Sequence, residues 1–361
     1  MLQGGGALGA YQAGVYEGLS REDFKPDWIA GTSIGAINAA IIAGNAPEER
    51  IAKLRTFWST ASAGLPALFD LAEPHARSLV NEAAAGWIAA MGVSGFFRPR
   101  MPPALFYPPG APEALSFYDT APLRETLTRL VDFDRINAQE TRLSLGAVDM
   151  RSGKLEYFDN ARDRIGPEHV MASGALPPAF PPVEIGGRHY WDGAVVSNTP
   201  LQHVLDHEHH EDLLIFQVDL FNAEGPMPRT IIEAAEREKD IRYASRTENH
   251  TKAAMQKQDA KLALRKLLDV LPPEVLAMPE ARRVEALARD NAITVVQVIY
   301  RDKPYEGTSK DYEFSRQSMS EHWAAGHADI CRTLARREHL ICDRGKGATT
   351  LIDGEEDDHE S

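Results

Sequence analysis

The chain has 361 residues, 43% of them apolar and 25% charged, a composition that can bury a sizeable core and excludes disorder throughout. Thirty-nine basic against 53 acidic side chains give a formal net charge of −14, the wrong sign for a protein that coats nucleic acid, so no nucleic-acid partner is expected. Cys331 and Cys342 are too few for a disulfide framework and lack zinc-holding spacing, and with no leader-like start and no long apolar run a soluble, cytoplasmic protein is expected.

In chain order, Leu2-Gln3 reads as a stub of strand, Gly4 to Gly6 as a turn, and Leu8 to Leu19 as a helix with Leu8, Tyr11, Val15 and Leu19 at helical spacing. Asp27 to Ala30 reads as a second strand and Ile34 to Ala43 as a second helix, so each strand enters its helix through glycine. Residues 47–90 look helical. Six prolines between Arg98 and Pro112, interleaved with Leu105, Phe106 and Tyr107, make an irregular loop that packs on the body or lines an entrance. A helix near 120–131, strands near 142–149, 154–159 and 212–219, and a Pro-rich segment at 176–183 complete a core sheet. Beyond residue 226 come a charged helical stretch at 229–268, a strand at 292–300 and a helix at 312–338. This alternation predicts an α/β fold around a mixed, largely parallel sheet. The expected domains are 1–225, an extension over 226–345, and an acidic, disordered tail over 346–361.

Three motifs carry chemistry. Gly4-Gly5-Gly6-Ala7-Leu8-Gly9 stands before a helix, where glycine allows unusual turns and free N–H groups bind an anion or a developing oxyanion. Its spacing also fits the dinucleotide fingerprint, but that reading wants an acid closing the second strand, and Asp27 opens it. Gly31-Thr32-Ser33-Ile34-Gly35 is a G-x-S-x-G between strand and helix, a nucleophile elbow in which Gly31 and Gly35 permit the sharp turn that exposes the Ser33 hydroxyl. The plain alternative is a helix N-cap by Ser33 or Thr32. Asp192-Gly193 supplies an aspartate that can act as base for a serine without a histidine, although alone the pair reads as a hairpin turn.

With Ala172-Ser173-Gly174-Ala175-Leu176-Pro177 and Phe180-Pro181-Pro182-Val183, these motifs resemble the patatin-like phospholipases over roughly residues 2–220. The resemblance implies a three-layer α/β core, here with a mainly helical C-terminal extension similar to that of one bacterial subgroup. It further implies lipolytic acyl hydrolysis of a lipid or other acyl ester, with Ser33 as nucleophile, Asp192 as its dyad partner and Gly4, Gly5 and Gly6 as the oxyanion hole. No cofactor is implied. Two features depart from the family: Leu8 stands where a cation is frequent, and Met1-Leu2-Gln3 supplies only the end of a usually longer first strand, which implies a start upstream or a trimmed chain.

Twelve histidines leave room for a Ser-His-Asp triad, but the serine follows the second strand, earlier than in α/β-hydrolases, and His189 lies three residues from Asp192 on a strand, hence on the opposite face. His203, His207, His209 and His210 with Glu208 and Glu211 make the one metal-like cluster; lacking an HExxH pattern it reads as a solvated helix end, and no metal is expected. Arg242, Arg246, Lys252, Lys257, Lys261, Arg265 and Lys266 form a basic stretch read first as a solvated helix and second as a peripheral contact with anionic lipid. The rival functions are an esterase on other acyl or polyester substrates, a catalytically silent lipid-binding or scaffold protein, and a dinucleotide-dependent oxidoreductase.

Overall fold

The computed structural model describes residues 1–63, 74–207, 212–285, 287–288, 291–301, 310–336 and 349–353. Glu208, His209, His210 and Glu211, and the expected tail beyond Asp353, lie outside the described residues. The first half runs α1 (Gly9–Arg21), β1 (Trp28–Thr32), α2 (Ile34–Ala43), α3 (Arg50–Ala61), α4 (Pro74–Met91), β2 (Arg98–Pro99), β3 (Tyr118–Asp119), α5 (Ala121–Leu130) and α6 (Phe133–Asn137). Then come β4 (Arg142–Asp149), β5 (Leu155–Asp159), α7 (Pro167–Ser173), β6 (Val183–Ile185), β7 (Arg188–Asp192), α8 (Leu201–Asp206) and β8 (Leu213–Asp219). The last third adds α9 (Ile231–Leu268), α10 (Pro273–Leu276), α11 (Pro279–Glu285), β9 (Ile293–Ile299), α12 (Arg316–Ala335) and β10 (Thr349–Asp353).

The central sheet is mixed. β1 pairs parallel with β4, and β8, β9 and β10 pair parallel with one another, while β5, β6 and β7 join antiparallel. Leu2 bridges Gly31 of β1 and Val218 of β8, so the first residues stitch the two halves together. Side chains alternate between two cores as the period of a strand requires. In β9, Ile293 and Val295 pack with Leu205 of α8 and Met255 of α9, whereas Val296 and Val298 pack with residues of α1, α2 and α12. Helices therefore cover both faces, giving the three layers. All ten residues of α2 are buried, which is why its Ile/Ala sequence shows no polar stripe.

The stretch after residue 226 builds into this body. β9 lies between β8 and β10, and α12 crosses α1 so closely that a Cβ on Gly14 would lie 2.0 Å from Trp323 O and one on Gly326 2.1 Å from Tyr11 O. Thr349–Asp353, expected as the beginning of a tail, is a strand: its register against β9 supplies the ladder partners that its composition does not advertise. The Asp-Gly at 192–193 is no hairpin, because a 3₁₀ turn over Gly193–Val195 follows β7.

Candidate active site

The site forms where two strands meet on one edge of β4. β1 ends with Thr32 opposite Gly146, and β7, running the other way, ends with Asp192 opposite Ala147. Gly146 and Ala147 both pair with β5 on the far edge, so Thr32 and Asp192 share the near one, and the carboxyl ends of β1 and β7 abut.

Directly after Thr32, Ser33 takes φ 57° and ψ −124°. Such a left-handed conformation costs a non-glycine residue about 1–3 kcal/mol and persists only where the surroundings over-determine it. Here the Ser33 N–H donates to Ser173 O at 3.2 Å and to Ser173 Oγ at 3.1 Å, and Ser173 Oγ donates to Gly146 O at 2.6 Å. The elbow glycines are sterically required: a Cβ on Gly31 would lie 2.4 Å from Gly35 O, and one on Gly35 2.3 Å from Leu2 O.

Asp192 is fully buried. Its Oδ1 accepts from the Ala194 N–H at 2.8 Å, and Oδ2 has no well-formed hydrogen bond. Burial pushes the carboxyl up to about 7, opposed by the Ser33 hydroxyl and the Ala194 N–H. The Ser33 hydroxyl thus favours the ionised carboxylate, although Asp192 Oδ2 completes no hydrogen bond.

Gly4, Gly5 and Gly6 border the same cavity. The Gly4 N–H points to Asn198 O at 3.4 Å, Asn198 Nδ2 donates to Gly4 O at 2.8 Å, and the Ala7 N–H donates to Asp311 O at 2.7 Å. Between these anchors, the N–H groups of Gly5 and Gly6 make no hydrogen bond among the described residues. Gly6 has φ +56°, and a Cβ there would lie 2.0 Å from Asp311 O. Leu8, at the position where the family frequently has a cation, is buried in the core. The cavity, about 340 Å³, is walled by Phe96, Phe97, Phe180, Phe221, Tyr243 and Phe314. No histidine lines it among the described residues; His189 is exposed, near Glu184.

The structure therefore brings Ser33, Asp192 and the three glycines together, with Gly31 and Gly35 behind the serine. Sequence reasoning missed Ser173 and Asn198, which anchor the elbow and the glycine loop. Ser173 stood within a stretch already singled out, Ala172 to Pro177, with no role attached. Asp311, Tyr312 and Phe314, which complete the cavity from the distant C-terminal stretch, carried no sequence signal.

Two other clusters are organised differently. A more open cleft of about 660 Å³ between α1, α3 and α12 is built on Glu17, which receives hydrogen bonds from Arg21, Arg55 and Trp323; His327 on its lining lies 3.8 Å from Cys331 Sγ. Asp159, His203 and His207 converge within 4.8 Å. There, against the upward push of burial, the His203 ring 3.6 Å away and hydrogen bonds from Arg142, Ala161 and Ser144 hold the Asp159 carboxyl far below the usual range. The Arg142 guanidinium lies 2.8 Å from Asp159 Oδ2, and His203 stacks on Tyr157 at 3.9 Å between centroids. No described helix is long and apolar enough to cross a membrane.

A strand-to-helix serine elbow, a buried aspartate and a glycine loop thus meet at one point of a three-layer α/β body. A family model for patatin-like phospholipases matches residues 1–205 and a second, described as patatin phospholipase, matches residues 241–342, so the chain belongs to the patatin-like phospholipase family. Among solved structures, VipD from Legionella pneumophila is similar at 14% identity with a TM-score of 0.40, over 91% of this chain and 65% of that one. This chain therefore spans just under two thirds of that protein's length. No curated protein matches.

Proposed function

We propose that the protein is a serine acyl hydrolase that cleaves fatty acyl esters of lipids with a Ser33–Asp192 dyad. Ser33 Oγ attacks the ester carbonyl carbon while Asp192 takes its proton. The carbonyl oxygen becomes an oxyanion facing the Gly5 and Gly6 N–H groups, aided by the N-terminus of α2, which Ser33 directly precedes. Collapse expels the alcohol, which takes the proton from Asp192, and leaves an acyl-Ser33. Asp192 then deprotonates a water that attacks the acyl carbon, and the acid departs as Ser33 regains its proton.

The observation that carries this reading is the abutment of β1 and β7, which sets a strained serine beside a buried aspartate whose carboxyl, near 7, suits proton transfer at neutral pH. The aromatic walls fit an acyl chain, and each buried methylene contributes about 0.8 kcal/mol to binding. The test is a fluorophosphonate probe with intact-mass readout. A single adduct on the wild type, abolished by Ser33→Ala and by Asp192→Asn, is expected. No adduct on folded protein overturns the proposal in favour of a non-catalytic lipid-binding role, and turnover of polyester but not of lipid esters would reassign the substrate.

A further inference from the structure

We propose that the Pro-rich loop Met101–Pro112, with Phe117 and the C-terminal turns of α4, is a docking surface that inserts into a neutral lipid surface and presents the cavity mouth to it. Leu105 is 92% exposed, Met101 81% and Phe106 78%, and Phe117, Trp87 and Met91 are exposed beside them. Two of them, Trp87 and Phe117, adjoin cavity-lining residues in sequence. Trp87 flanks Ile88 and Ala89, which line the cavity, and the Tyr118 hydroxyl donates to Ala89 O at 2.8 Å. The Phe117 and Tyr118 N–H groups donate to Pro178 O and to O of cavity-lining Ala179, at 3.1 and 3.0 Å.

Three features select lipid over protein or a second copy. The twelve residues Met101–Pro112 contain no charged side chain, in a chain of which 25% of residues are charged. Five of the twelve are proline and have no N–H, and the N–H groups of Phe106, Tyr107 and Ala111 are satisfied within the loop by Pro103, Ala104 and Pro108 carbonyls. A backbone with so few open donors can enter hydrocarbon, where unpaired peptide groups are heavily penalised. Leu105 and Phe106 are exposed on one short turn, Ala104–Phe106, and Leu115 on another, Pro112–Leu115, which suits penetration between lipids better than a flat interface.

Charge selects a neutral surface. With net charge −14 the protein is repelled by anionic bilayers, and several cations of α9 that could oppose this are committed: Lys252 to Glu248, Lys257 to Asp206 and Arg265 to Asp269. The inference deepens the hydrolase reading by placing its cavity against lipid, but it stands on the surface alone and is tested without turnover.

The experiment is flotation with phosphatidylcholine vesicles, using the wild type, Ser33→Ala and the double variant Leu105→Ser/Phe106→Ser, with fluorophosphonate labelling and hydrolysis of a water-soluble short-chain ester as controls. The wild type and Ser33→Ala are expected to float equally, and the double variant to bind at least tenfold more weakly with unchanged labelling. Trp87 emission should shift to the blue on vesicle addition, a change absent in Trp87→Phe. Equal flotation of the double variant, or no flotation of the wild type, overturns the proposal. So does a concentration-dependent dimer that the same double substitution dissolves, which would give the surface to a second copy. Failure of labelling with intact flotation would sink the dyad and leave the docking surface standing.

Discussion

Thr32 and Asp192 occupy adjacent rungs on one edge of β4, opposite Gly146 and Ala147. One strand arrives parallel and the other antiparallel, so both carboxyl ends reach the same point, and backbone pairing brings whatever follows Thr32 beside Asp192. The proposed dyad would need no third side chain to orient its base: the Asp192 carboxylate is fixed by its own strand and by the Ala194 N–H.

A base with a carboxyl near 7 works only when ionised, so kcat/KM on a soluble ester should rise with pH through about 7 and fall tenfold for each unit below it. A pH–rate profile checks this, and the rate of fluorophosphonate labelling should follow the same curve. A plateau extending from pH 5 to 8 would show that Asp192 is not the group whose ionisation limits the reaction.

The same carboxyl costs stability. Its ordinary value is 3.8 and burial raises it to about 7 in the fold, so the native state favours the protonated form. The stabilisation from native protonation is present below about 4 and lost as pH rises through 7. Asp192→Asn, neutral throughout, should therefore unfold at a higher temperature than the wild type at pH 8.5 and not at pH 4. At about 1.4 kcal/mol per pKa unit the gain amounts to a few kcal/mol. Matched thermal melts of both proteins at the two pH values measure it.

Ser33 predicts a second exchange of stability for function. At φ 57° only glycine is unstrained, so Ser33→Gly should be more stable than Ser33→Ala by about 1 kcal/mol, with both blind to the probe. Urea denaturation separates them. Equal midpoints would mean that the elbow relaxes once the hydroxyl is gone.

Much of this was legible because local chemistry and global fold agree. Ile34–Ala43 is a helix over the predicted residues, and the strand expected at 292–300 is β9 over Ile293–Ile299, since continuous apolar runs buried on both faces leave few alternatives. The glycine loop and elbow were readable as motifs, and Asp192 only through the resemblance that the motifs carry together. The illegible parts depend on contacts distant in sequence. Nothing local in Asp311 announces that its carbonyl accepts from Ala7, and Ser173 becomes an anchor only because α7 ends under the elbow. β10 is a strand because β9 offers it an edge.

Gly6 tests the oxyanion loop, with a control supplied by the fold. Gly6→Ala places a Cβ at φ +56° and 2.0 Å from Asp311 O, a backbone atom that cannot rotate away, so the loop must shift and its N–H groups lose aim. Losing one oxyanion donor costs about 2.7–4 kcal/mol, so kcat should fall on the order of 10²- to 10³-fold with KM little changed. Gly153 has nearly the same backbone, φ +67°, but open space where its Cβ would go, in the turn between β4 and β5. Gly153→Ala should lose about 1 kcal/mol of stability and no turnover. Steady-state kinetics and urea melts of the two variants then divide backbone strain, common to both, from loss of the oxyanion site, which Gly6→Ala alone should suffer. Wild-type kcat in Gly6→Ala would remove the glycine loop from the chemistry.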